Sequence, residues 1–243
     1  MNQHTLLGRR EDELLWLQRR SFLQASASWL ALGGFTAAMA QGRGNVVQHT
    51  GDAWVNGQRL EPQQSIVPGD HLATGPGSTL VFVLGNSAFH VRENSTLATQ
   101  QGLSAAAVGV LRLISGAVVS VWGKGEQRRI VTPTVTAGIR GTGVYTEVYA
   151  DQGGRSYLCN CYGTVDLTAG GQTITSRSEY HQAFWAEPEP RNGRLLTPAG
   201  ALNHTDAEVE FLAGLVEQKT AWQITGRKGK SGASGGYGSY GDY

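Results

Sequence analysis

Charge, proline, cysteine and long apolar runs are all scarce in this chain. Asp, Glu, Lys and Arg make up 16% of its 243 residues, against roughly 25% in ordinary soluble proteins. The two signs nearly cancel, at a formal net charge of +1. The composition therefore offers no global field for nucleic acid or an anionic membrane. Seven prolines, with no glycine at every third position, exclude collagen. Two cysteines cannot build a disulfide framework. No run of about 18 residues is apolar enough for a membrane-spanning helix. What is abundant is glycine: 34 residues, about twice the usual ~7% share. Together with 40% apolar residues, this argues against wholesale disorder and for a packed domain rich in tight turns.

The N-terminal segment reads as an address. Arg19 and Arg20 precede Ser21, Phe22 and Leu23, a block that resembles the twin-arginine (Tat) export motif. Gln24 stands where that motif often has Lys. A mildly apolar, uncharged stretch from Ala25 to Ala38 follows. It ends in Ala38-Met39-Ala40, a small-x-small cleavage pattern. The resemblance implies a signal over residues 1–40, the Tat translocase as export partner, and a periplasmic or extracellular mature chain without a stable membrane span. Residues 1–40 carry four Arg and three acidic groups, so the remainder is electrically balanced.

From Val46 to about Trp185 short β-rich runs alternate with turn signals. Asn56-Gly57, Gly85-Asn86, Gly153-Gly154 and Gly170-Gly171 are the dipeptides that tight hairpins require. Gly116 interrupts an alternating run from Leu111 to Trp122, where a bend or bulge belongs. The expected fold is mainly β, a sandwich or solenoid-like domain over 41–186. The Pro-Glu-Pro stretch after Glu187 reads as the start of a connector over 187–204. Thr205 and Glu208 form a capping box, and Val209, Leu212 and Val216 set a helical stripe. One amphipathic helix is expected over 205–222. Residues 226–243, with seven Gly and three Tyr, read as a flexible tail.

Several of these segments resemble the FecR-like domain. They are 51–57, the Gly69-Asp70 to Gly75 stretch, the run after Ser78, and Leu113 to Val118. The most specific is Thr132-Pro133 followed by Ala137, Arg140, Gly141, Thr142 and Val144. The resemblance covers about 46–170. It implies a β fold, an extracytoplasmic location and a role in sensing or scaffolding. Members of that family are membrane-spanning regulators whose cytoplasmic segment touches a sigma factor. Only eighteen residues precede Arg19, so the sigma-factor apparatus is not carried over. The Arg140-Gly141-Thr142-Gly143 element is expected to bend a strand, with Arg140 free to bind carbonyls or a carboxylate.

Chemistry-bearing residues are few. Cys159 and Cys161 lie two apart in an expected strand, which puts both sulfurs on one face. They read as buried small apolar residues, as a strained local disulfide, or as half of a metal or cofactor site completed by His181 or His204. No serine-nucleophile elbow and no carboxylate pair in an apolar setting is present, so no enzyme is expected. No cofactor is expected, a metal excepted. The leading expectation is a non-enzymatic, exported module that recognises an envelope protein or small ligand. The alternatives are a metal-binding protein using Cys159, Cys161 and a His, and a surface scaffold acting through its Gly/Tyr tail.

Overall fold

The computed structural model describes residues 44–228 except Glu126. The export-signal residues Arg19, Arg20, Phe22, Leu23, Ala38 and Ala40 lie outside the described residues. So does the tail from 229 onward.

Among the described residues the fold is mainly β. Fourteen strands belong to one hydrogen-bonded sheet. In chain order they are β1 (Val46–Thr50), β2 (Ala53–Val55), β3 (Gln58–Arg59), β4 (His71–Thr74), β5 (Thr79–Leu84), β6 (Ser87–Val91) and β7 (Thr96–Gln101). Then follow β8 (Val108–Trp122), β9 (Arg128–Val131), β10 (Thr136–Tyr149), β11 (Arg155–Ala169), β12 (Gln172–Ser178), β13 (Gln182–Arg191) and β14 (Arg194–Ala199). Every pairing is antiparallel except β8 with β9. Two short helices end the described chain: α1 (Asp206–Leu215) and α2 (Ala221–Thr225).

Three long strands organise the sheet, and each changes partners part-way. β8 pairs with β7 up to Ser115 and with β6 and β10 from Gly116 onward. β10 passes from β9 to β8 across Arg140–Gly143. β11 passes from β13 to β12 between Asn160 and Gly163. Each change falls at a left-handed glycine: Gly116 at φ 77°, Gly141 at 58° and Gly163 at 96°. Gly116 is also sterically required, because a Cβ there would lie 2.2 Å from Ser95 Oγ and 2.5 Å from Ser95 Cα. The Ser95 hydroxyl fills that space and accepts the Ala117 N–H at 2.9 Å.

The bends let one side of the sheet enclose the main core. Phe82, Phe89 and Trp122 meet Leu72, Leu97, Leu111 and Leu113 there, all essentially inaccessible. Phe89 stacks on Phe82 and meets Trp122 edge-on, each at 5.0 Å. The opposite face of β8, β10 and β11 is apolar too. Val119, Val121, Tyr145, Tyr157, Cys159 and Cys161 form a second core with Val209, Leu212 and Ala213 of α1. The middle strands are thus covered on both sides along part of their length, which is why β8 is buried at every residue from Ala117 to Trp122 while its first half alternates.

Two expected boundaries need correction. Residues 187–204 are not a plain connector: β13 runs through Glu187, Pro188, Glu189 and Pro190 to Arg191, and Asn192-Gly193 turns the chain into β14. The β13–β14 register shifts between Ala186 and Arg191. That irregular stretch accommodates prolines, which cannot donate to a ladder. The helix expected over 205–222 is two helices. Glu217 takes a left-handed φ of 55°, and Thr220 with Gln223 forms a second capping box that starts α2. The first capping box, Thr205 with Glu208, is as expected.

Candidate metal centre

The Arg140-Gly141-Thr142-Gly143 element sits at a pair of facing irregularities. Between Arg140 and Gly143, β10 has one residue more than its partner. Between Val144 and Gly143, β11 has one more, and that extra residue is Cys161. Thr142 is wholly buried, and its hydroxyl donates to the Tyr162 carbonyl. Arg140 is exposed and pairs with the half-buried Asp166, a carboxylate as expected. This element shapes the bend that carries Cys161.

β-bulges re-aim side chains. Cys159 and Cys161 both face the second core and are both fully buried. The His181 backbone N–H donates to the Cys161 carbonyl at 2.9 Å. This bond holds the β12–β13 turn against the bulge, with His181 at φ 40°. His204 arrives on the stretch that leads from β14 to α1. Its ring stacks on Tyr145 at 4.8 Å. The residues named in the sequence as a possible metal set thus come together: one ligand atom from each of Cys159, Cys161, His181 and His204 lies within 4.8 Å of all the others.

The outer contacts fix which nitrogens face inward. His181 Nε2 meets Asp206 Oδ1 at 2.9 Å, and His204 Nδ1 meets the Leu202 carbonyl at 2.6 Å. Both partners can only accept, so each outer nitrogen carries the proton when the ring is neutral. The inner atoms, His181 Nδ1 and His204 Nε2, are then bare lone pairs facing each other at 3.0 Å. Cys159 Sγ lies 3.6 Å from the same Nδ1. Two lone pairs do not converge in a buried site without a proton or a cation between them. A carboxylate or carbonyl behind each imidazole is the usual outer arrangement of metal-bound histidine.

Without a metal, the group stores charge. Burial pushes the Cys159 thiol well above its ordinary range. Burial acts in the same sense on Cys161, but hydrogen bonding with Cys159 and the nearby imidazoles outweigh it and draw Cys161 well below. Burial disfavours the His181 cation, yet Asp206 and Cys161 raise its pKa to about 9. Asp206 is lowered, its burial outweighed by His181. Lys228 stands 3.5 Å from Asp206. An aromatic wall closes the rest: Trp222 stacks on His181 at 5.3 Å and meets Tyr162 and Tyr180 edge-on.

No family model and no curated protein matches the chain. Among solved structures, two crystal structures of a candidate anti-sigma factor from Parabacteroides distasonis ATCC 8503 are similar to it. Each has 9% identity, a TM-score of 0.44, and coverage of 64% of this chain and 62% of that one. The matched region is thus under two thirds of that protein's length.

Proposed function

We propose that the chain is a non-enzymatic, exported binding module whose β framework carries a closed Cys2His2 metal centre, and that it serves as a sensor or accessory component of the cell envelope. One observation carries the metal reading: the inner nitrogens of two imidazoles converge on two buried thiols, all four ligand atoms lying within 4.8 Å of one another. Export rests on the Arg19-Arg20-Phe22-Leu23 resemblance, and the envelope role on the FecR-like segments.

The donor set selects the ion. Thiolate and imidazole suit zinc and its soft neighbours and not magnesium or calcium. Two thiolates and two neutral imidazoles make a divalent centre neutral, which suits a site with both sulfurs inaccessible. A monovalent ion would leave one negative charge in the core. Tetrahedral zinc, with bonds near ~2.1 Å to nitrogen and ~2.3 Å to sulfur, places its two nitrogens roughly 3.4 Å apart and a nitrogen and a sulfur roughly 3.6 Å apart. The 3.6 Å contact between Cys159 Sγ and His181 Nδ1 already matches the second edge, and the 3.0 Å contact between the two imidazoles need widen by only about 0.4 Å. Four protein ligands leave no open position for substrate, the pattern of a structural site and not a catalytic one.

Elemental analysis of the purified chain tests this, beside cobalt substitution. About one zinc per chain is expected, with thiolate-to-cobalt charge transfer and tetrahedral d–d bands. Both should vanish in Cys159→Ser/Cys161→Ser. Sub-stoichiometric metal in the parent chain would refute the centre.

A further inference from the structure

The metal centre spans the sheet and the segment that carries the C-terminal helices. Cys159 and Cys161 belong to β11, and His181 is tied to Cys161 through its backbone. His204, by contrast, stands next to Thr205, the N-cap of α1, and Asp206 is the first residue of that helix. One segment thus supplies both a ligand and the carboxylate that orients another ligand.

Helix α1 has ten residues, too few to persist alone in water. Away from the centre it rests on the sheet through Val209, Leu212 and Ala213. Its one buried charge, Glu208, meets Arg92 at 2.6 Å and His90 at 3.4 Å. α2 folds back over the centre with Trp222, whose indole N–H donates to Glu210 at 2.6 Å. Lys228 closes the loop onto Glu210 at 2.8 Å. The helices hold one another at their outer side, and they meet the framework at three places: the apolar contact of the second core, the Glu208 ion pairs and the Cys2His2 junction.

We propose that the centre is a metal-operated latch: cation binding clamps α1 and α2 onto the sheet, and its loss releases them and uncovers Val119, Val121, Tyr145 and Tyr157. This rests on the metal reading above and adds the regulation of that site. Linkage makes the coupling reciprocal, because whatever factor the metal contributes to helix docking, docking contributes to metal affinity. A ligand on a segment that is docked only part of the time binds metal more weakly in proportion.

Hydrogen–deuterium exchange on the full-length chain, with zinc and after chelation, reads the latch directly. Zinc content is measured on the same samples. On chelation, amides of 206–215 and 221–225 should lose at least tenfold in protection while those of β10 and β11 keep theirs. Leu212→Ala, which removes no ligand atom, should weaken zinc binding roughly tenfold. Zinc bound one to one with helix protection unchanged on chelation would overturn the latch and leave the metal centre standing. So would an unaltered zinc affinity in Leu212→Ala. A chain that binds no zinc would overturn both. Should Leu212→Ala fail to fold, Val209→Ala makes the same comparison.

Discussion

Replacing Asp206 with Asn tests the outer support of the centre while leaving all four ligands in place. The Asp206 carboxylate accepts from His181 Nε2 at 2.9 Å and from the Tyr180 hydroxyl at 3.1 Å. It is partly shielded, with 22% of its side chain accessible. Asn keeps the volume and one acceptor oxygen but loses the charge. It can also present its NH2 to the ring and so turn the wrong imidazole nitrogen inward. Loss of such an outer partner weakens metal binding by 10–100-fold, which is about 1.4–2.7 kcal/mol. The same substitution removes a negative charge from the α1 N-terminus, costing about 0.3–1 kcal/mol of metal-free stability. The two effects separate experimentally. Competition against a chromophoric chelator gives the zinc affinity, and thermal melting in excess chelator gives the metal-free stability. A zinc affinity within twofold of the parent would refute the claim that Asp206 sets the His181 tautomer. A metal-free melting temperature lowered by more than about 10 °C would show that Asp206 is chiefly a structural group.

Other substitutions read other parts of the fold. Glu208 is held at a pKa of about 2, its burial outweighed by Arg92 and His90. Because the folded pKa lies below the ordinary value, its contribution is complete above about pH 4.5 and is lost as the pH falls toward 2. It amounts to about 3 kcal/mol at most, and Glu208→Gln should flatten the acid limb of an unfolding-versus-pH curve. Gly116→Ala meets both the left-handed φ and Ser95, and a cost of about 3 kcal/mol is expected. That should lower the melting temperature by roughly 6–12 °C. Arg140→Ala removes only an exposed ion pair with Asp166, so denaturant unfolding should move by less than about 1 kcal/mol and zinc content not at all.

What was legible in the sequence was whatever is decided locally. Thr205 and Glu208 are three residues apart and satisfy each other's backbone, so the start of α1 could be read directly. Gly116 announced its bend because nothing else explains a glycine in an alternating apolar run. The break between α1 and α2 was hidden by an apolar stripe that runs through Val216, although Thr220 and Gln223 carried the same capping signal. Pro188 and Pro190 masked β13, because their tolerance depends on a register shift that only the paired strands reveal. The centre was half legible. Period-two alternation put Cys159 and Cys161 on one face, but the bulge at Cys161 is a property of the β10–β11 pair. His181 and His204 lie far along the chain from the thiols, at no diagnostic spacing. Only the β12–β13 turn and the passage from β14 into α1 deliver them.

The indole of Trp222 stacks on the His181 ring at 5.3 Å. An emitting group that close to the ligands is an internal lamp beside the metal. A filled-shell ion such as zinc should leave it bright, and an open-shell ion such as cobalt or copper should dim it. Occupancy and exchange of the centre could then be followed in real time, in a protein carrying no added label.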